Sequence, residues 1–259
     1  MMKKEPTVRP QDYPIRLHAE CINYVGLRRR NNEDCMCIND YWVTPDEMNQ
    51  NVVCSQERKL TQALYGVFDG VGGDSHGEMA SCTAARFFAE NIERIVKASR
   101  DQEKMTAIFR EANEQVCEQA MGSGTTASVL MIHRGTACVA NVGDSGVYLY
   151  RDGKLESVFT VHTENGKGEK SHVITRCLGE VNEAQIYYPS LTAPIPLEHG
   201  DLFLLCSDGV TDMLDHAQIA AVCAMQTEES QMAAELINLA MEAGGRDNAT
   251  AMLIRVLFE

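Results

Sequence analysis

The chain has 259 residues, of which 44% are hydrophobic and 23% charged, and its formal net charge is −14 at pH 7. That size and mix fit one large β-rich globular domain, with a core big enough to hold strained loops. The excess of acid argues against a nucleic-acid partner, because nothing along the chain would neutralise a row of phosphates, and Arg28-Arg29-Arg30 is the only basic cluster.

Residues 1–14 carry three prolines and no periodicity, so they read as an extended N-terminal segment before a single domain over 15–259. Ile15, Leu17, Ala19 and Cys21 alternate with Arg16, His18 and Glu20, the period of a half-buried strand. A second strand is expected over Asp34–Ile38. The polar stretch from about Tyr41 to Thr61 reads as an insertion or a long hairpin. Ala63–Phe68 is apolar and runs into a glycine-rich turn. Ala80, Ala84, Phe87, Phe88, Asn91, Ile92 and Ile95 then fall at three- and four-residue steps and predict one helix. Met105, Ile108, Phe109, Ala112 and Val116 predict another.

From Gly124 the period changes to two. Strands are expected at Thr125–Ile132, Thr136–Val142, Val147–Tyr150 and Leu155–Thr160, joined by tight turns at His133-Arg134-Gly135 and Arg151-Asp152-Gly153-Lys154. Further strands are expected at Ala184–Tyr188 and Asp201–Cys206. Asp215 is suited to cap a helix starting near His216. A last helix spans roughly Glu229–Ala243, and Ala249–Leu257 closes the chain as a strand. Most neighbours are joined by hairpins, which predicts an α+β fold with mainly antiparallel sheets.

The ten cysteines contain no Cys-x-x-Cys pair, and Cys138, Cys206 and Cys223 sit in apolar runs. They read as reduced thiols of a cytoplasmic protein. No apolar stretch follows Lys3-Lys4 and no run approaches membrane length, so neither a signal peptide nor a membrane partner is expected.

Four acidic motifs stand far apart: Arg29-x-x-x-Glu33-Asp34, Asp69-Gly70-Val71-Gly72-Gly73, Ser207-Asp208-Gly209 and Arg246-Asp247-Asn248. Asp-Gly by itself is a common hairpin turn, and Asp152-Gly153, between strand-like runs, needs no other reading. Asp208-Gly209 instead follows the apolar run Leu202–Cys206, where an unmatched carboxylate costs several kcal/mol. Gathered carboxylates repel one another unless a divalent cation relieves them, so the set points to a metal site.

The motifs resemble those of the metal-dependent protein phosphatase family, the protein phosphatase 2C type, in its bacterial serine/threonine form. The likeness rests on Gly26–Asp34, Phe68–Gly73, Gly124–Thr126, Ala140–Ser145, Ile174–Gly179, Cys206–Gly209 and Arg246–Thr250, in the family's order over nearly the whole chain. It implies a four-layer α-β-β-α sandwich with two central sheets and the metals at one end. By this resemblance Asp69 bridges two Mn2+ or Mg2+ ions, Asp208 and Asp247 complete the first, and the Gly70 carbonyl and Glu33 serve the second. Asp144 with Asp208 matches a weaker third position. Arg29 is the expected phosphate clamp, and Asp34 and Asn248 orient the ligands. A water between the ions attacks phosphorus directly, without a phospho-enzyme.

Some positions depart from the family pattern. Val71 stands where some relatives have a histidine, Asp74 replaces the histidine that often follows Gly-Gly, and His76 is left as a possible proton donor. Gly146 stands where arginine usually follows Asp-Ser, and the segment between His162 and His172 is a short, polar flap. The partners implied are phosphorylated proteins, with a serine/threonine kinase and its targets the natural set, and the chain is expected to act as a monomer. The alternatives are a catalytically silent binding module of the same fold, or a hydrolase of small phosphate esters.

Overall fold

The computed structural model describes residues 15–72, 76–164, 173–179 and 188–258. The first strands are β1 (Ile15–Tyr24), β2 (Asp34–Ile38) and β3 (Tyr41–Trp42); the short helix α1 (Pro45–Met48) leads to β4 (Val52–Leu60) and β5 (Gln62–Val71). Helices α2 (Gly77–Glu90), α3 (Ile92–Ala98) and α4 (Gln102–Gln119) follow. Then come β6 (Gly124–Thr125), β7 (Ala127–His133), β8 (Thr136–Val142), β9 (Gly146–Arg151), β10 (Lys154–Ser157), β11 (Ser190–Leu191), β12 (Ile195–Pro196) and β13 (Leu202–Cys206). The chain finishes with α5 (Asp208–Thr211), α6 (His216–Cys223), α7 (Glu229–Glu242) and β14 (Ala249–Phe258).

One sheet has the order β10-β9-β13-β14-β1-β4; the other runs β11-β8-β7-β5-β2-β3, with β12 beside β8 and β6 beside β5. All the pairings are antiparallel. Side-chain alternation then sets the layers. Ile15, Leu17, Ala19 and Cys21 of β1, with Phe203 and Leu205 of β13, face the core shared with β2, β5, β7 and β8. The opposite faces of β13 and β14, Leu202, Leu204, Cys206, Ala251 and Leu253, pack against α6 and α7 through Leu236, Ile237 and Val222. Helices α2, α3 and α4 cover the other sheet, where Phe88 lies 5.5 Å from Phe68 and 5.2 Å from Phe109, centroid to centroid. The result is the expected α-β-β-α sandwich.

Three expectations need correction. Tyr41–Thr61 is no insertion: β3 ends one sheet, and β4 crosses over to become the edge strand beside β1, pairing from Ile15↔Leu60 to Asn23↔Val52. An edge strand is covered on one side only, and the charged run Glu57-Arg58-Lys59 that blunts it hides its period. The single long helix over Ala80–Ile95 is two, broken at Asn91, whose side chain donates at 2.9 Å to the same Phe87 O that its backbone N–H reaches at 3.2 Å. The strand expected at Leu155–Thr160 ends at Ser157. Of the strand expected at Ala184–Tyr188, residues 184–187 lie outside the described residues, and Tyr188 itself is in no strand. Most of the flap after Glu164 lies outside them too.

Candidate metal centre at one end of the sandwich

All four acidic motifs arrive at the same end of the two sheets. Asp34 opens β2 and Asp69 lies directly opposite it on β5, so the two side chains share a face roughly 4.5–5.5 Å apart at Cα. That face looks toward the other sheet, because Asp34 Oδ2 accepts from Ser207 Oγ and from Thr250 Oγ1, each at 2.6 Å. Asp208 begins α5 just after β13, and Asp247 precedes β14, the strand next to β13. Neighbouring strand ends from both sheets therefore deliver the acids to one place.

Close backbone approach makes this possible. Gly26 has φ +82°, and a Cβ there would lie 2.2 Å from Asp247 O. At Gly70 a Cβ would lie 2.4 Å from Gly77 O and 2.8 Å from Glu33 O, so any side chain would push α2 and the Glu33 loop away. Asn248 binds the same loop: Glu33 N donates to its Oδ1 at 2.8 Å, and its Nδ2 donates to Val25 O at 2.8 Å and Asn31 O at 2.9 Å.

The electrostatics follow from crowding. Burial pushes the Asp34 carboxyl up to about 7, and the charges of Asp208 and Asp247 add to this against the help of its two hydroxyl donors. Burial also raises Asp208 to about 6, with Asp144 and Asp247 pushing the same way. Asp69 lies well above the usual carboxylate range, through burial and then the charges of Asp208, Asp34 and Asp247. Glu33 is raised by burial too, although Arg29 pulls it down. These acids feel one another and have little protein cation to share.

Arg29 is that cation. Its Nη2 donates to Asp247 Oδ2 at 2.6 Å and its Nη1 lies 3.9 Å from Glu33 Oε2. The side chain is still 48% exposed, which leaves donors open to an incoming group. His76 starts α2 with φ +70° and makes no cap bond; its ring is 67% exposed and 3.5 Å from Glu78. It therefore stands at the rim, next to the Gly77 that packs on Glu33. Gly73 and Asp74 lie outside the described residues.

The donors suit a hard divalent cation. Carboxylate oxygens of Asp69, Asp208, Asp247, Glu33 and Asp144, with the Gly70 carbonyl, make an all-oxygen set appropriate to Mg2+ or Mn2+ rather than zinc. The buried Asp34 Oδ1 has no hydrogen-bond partner among the described residues. Arg29 holds Asp247, and no three of these groups among the described residues stand as a finished ligand cage. The residues fit the cation.

Several supporting residues had no role in the sequence reading. Thr126 Oγ1 accepts from Asp69 N at 2.9 Å and bonds Ser145 Oγ at 2.7 Å, while Thr126 N donates to Asp69 O at 2.8 Å. Thr126 is the residue between β6 and β7, so the break in the expected strand places the brace under Asp69. Asn32 Oδ1 accepts from Asp34 N at 3.1 Å, and Asn23 Nδ2 reaches Asp34 O at 3.1 Å. Buried His162 accepts from Gly143 N at 3.2 Å and meets Ser190 Oγ at 2.9 Å, holding the turn before Asp144; burial and then Arg176 lower its pKa to about 4. Small polar residues flanking strand-end acids were the signal for most of these.

Comparison with known proteins gives a consistent picture. The family model described as protein phosphatase 2C matches residues 47–242. A serine/threonine phosphatase (stp) of Listeria welshimeri is 28% identical, over 92% of this chain and 95% of its own length. The catalytic domain of the serine/threonine phosphatase PstP, solved in complex with two manganese ions, is 26% identical and superposes with a TM-score of 0.72, over 94% of this chain and 99% of that one. The Streptococcus agalactiae serine/threonine phosphatase, at 24% identity, shares the fold with a TM-score of 0.74 over 92% of this chain and 99% of that one.

Proposed function

The chain belongs to the protein phosphatase 2C family, and from that premise we propose how its acidic pocket removes phosphate from phosphoserine and phosphothreonine. It is a metal-dependent serine/threonine protein phosphatase whose cofactor is Mn2+ or Mg2+. The observation that carries the assignment of the site is the convergence of Asp34, Asp69, Asp208 and Asp247 from strand ends of both sheets, where burial and neighbouring acids raise Asp34, Asp69 and Asp208.

Asp69 would hold both cations, with Asp208 and Asp247 helping to hold one and Glu33 and the Gly70 carbonyl the other. Asp144 with Asp208 would make a weaker third position. Bound divalent cations supply a Lewis acid and lower the pKa of water at the site. The protein's own groups do the rest. Arg29 orients the phosphate through paired N–H donors and stabilises the charge that develops on its oxygens. Asn248 keeps Glu33 and the arginine loop in register with Asp247, and Asp34 anchors the two sheets beneath Asp69. His76 is the proposed proton donor to the departing serine or threonine oxygen.

Residues 15–259 are proposed to act as one catalytic domain and as a monomer, on phosphorylated proteins that include a partner kinase and its targets. All ten cysteines are free, which supports a cytoplasmic setting. No helix among the described residues is long and apolar enough to cross a membrane. The test is a titration of phosphothreonine-peptide hydrolysis against Mn2+ and Mg2+. Activity should be absent after chelation and return with either ion; turnover that ignores chelation overturns the reading. Replacing His76 with Gln should slow alkyl phosphates more than aryl phosphates, whose leaving groups need no proton.

A further inference from the structure

We propose that Arg28, Arg30 and Arg246 form a basic rim that selects phosphopeptides carrying acidic residues beside the phosphorylated serine or threonine. The inference rests on the phosphatase reading and adds a substrate class to it. Arg28-Arg29-Arg30 is the only basic cluster in a chain of net charge −14, and its middle residue, Arg29, reaches Asp247 of the acidic pocket.

Two loops build the rim. Leu27 N donates to Gly245 O at 2.9 Å, and a Cβ on Gly245 would lie 2.8 Å from Leu27 Cγ, so the loop bearing Arg28 and the loop bearing Arg246 lie against each other. Gly26 fits under Asp247, and Asn248 binds Val25 and Asn31, which fixes both loops relative to the pocket. Arg29 is engaged by Asp247 and Glu33. Its neighbours Arg28 and Arg30, and Arg246 across the loop contact, are exposed and make no ion pair among the described residues. The clamp and the rim thus divide the work: one guanidinium for the phosphate, the others for what flanks it.

The overall negative charge does not cancel this local preference. At physiological ionic strength charges more than about 8 Å apart are largely screened, so a peptide in the site responds to the nearest groups. On the arginine side Arg28, Arg30 and Arg246 are exposed cations and the acids Asp247 and Glu33 already face Arg29, whereas Glu78, whose charge reaches Glu33, lies on the α2 side. An acidic residue beside the phosphoresidue is therefore attracted toward the two loops, and a lysine there is repelled by them.

The experiment compares kcat/KM for phosphothreonine peptides of equal length flanked by glutamate, alanine or lysine, with a small aryl phosphate as the reference for each enzyme. The parent should prefer glutamate over lysine flanks by about 10-fold at low salt, with the ratio shrinking at high salt. Arg28→Ala with Arg30→Ala should bring the ratio to within about 2-fold, Arg246→Ala should reduce it part of the way, and Arg28→Lys with Arg30→Lys should largely keep it. A parent without the ranking, or variants that keep it undiminished, overturns the inference. If neither peptides nor aryl phosphate are hydrolysed with metal, the phosphatase reading itself fails.

Discussion

Two groups of buried acids lie on the same framework and behave in opposite ways. On the outer face of the β1 sheet, Glu229 of α7 receives Arg255 Nε at 2.7 Å and meets His18 Nδ1 at 2.7 Å; His18 Nε2 is 3.1 Å from Glu20, which also accepts from Ser55 Oγ at 2.5 Å. Burial pushes Glu229 up, but the Arg255 and His18 bonds outweigh it and hold its carboxyl below the usual range. At the sandwich end, burial and like charges win, and Asp34, Asp69 and Asp208 are all raised. The first group is neutralised from within and serves to fasten α7 to β1. The second is left short of positive charge, and that shortage is what fits it to a cation from outside.

The contrast is broken most sharply by Asp208→Asn. It removes a donor from the crowded cluster and should lower phosphopeptide kcat/KM by at least about 100-fold, since even supporting residues at metal sites cost 10–100-fold. A variant as active as the parent places the chemistry elsewhere. Arg29→Ala should cost about 100-fold, chiefly in kcat, because it removes charge stabilisation at the phosphate and not a metal donor. Should the Mn2+ concentration for half activity rise instead, Arg29 is serving the ligands.

Asn248→Ala tests positioning. Loss of its three bonds to the Glu33 loop should raise the metal requirement about 10–100-fold, and saturating Mn2+ should restore much of the rate. Saturating Mn2+ should also raise the melting temperature by about 5–10 °C at 100 times Kd, because the ion binds only the folded arrangement. An unchanged melting curve would mean that the acids do not gather before substrate arrives.

The smallest effect on function belongs to the other cluster. Glu229→Gln should destabilise by about 2 kcal/mol while leaving metal affinity and kcat alone. Its pH dependence has a definite sign. With a folded pKa below the unfolded value of about 4.3, Glu229 contributes stability above about pH 4 that is lost as pH falls through the folded pKa. The gap in melting temperature between parent and variant should therefore close in acid. A gap that widens there would contradict the pairing.

Much of this was legible in the chain itself. Strict alternation in Ile15–Cys21 placed β1 and its buried face, because a strand with two different environments must show period two. An acid one residue beyond Leu202–Cys206 singled out Asp208, since a carboxylate at the end of so apolar a run needs a partner. The edge strand β4 was not legible: only Val52 and Cys54 pack against the core, and the charges of Glu57-Arg58-Lys59 hide the period beyond them. The break at Asn91 was hidden too, as the apolar stripe continues on both sides of it.

The sequence by itself determined which residue types end each strand and which faces turn inward, because burial and backbone geometry act over a few residues at a time. Only the tertiary structure decided that Asp34 and Asp69 stand opposite each other, that Ser207 and Thr250 reach across from the second sheet, and that Thr126 braces Asp69 from a break between two strands. Those relations depend on strand order and register. Pairings between residues such as Asp34 and Thr250 are set by how the two sheets close on a common core, and no local run of sequence contains that information.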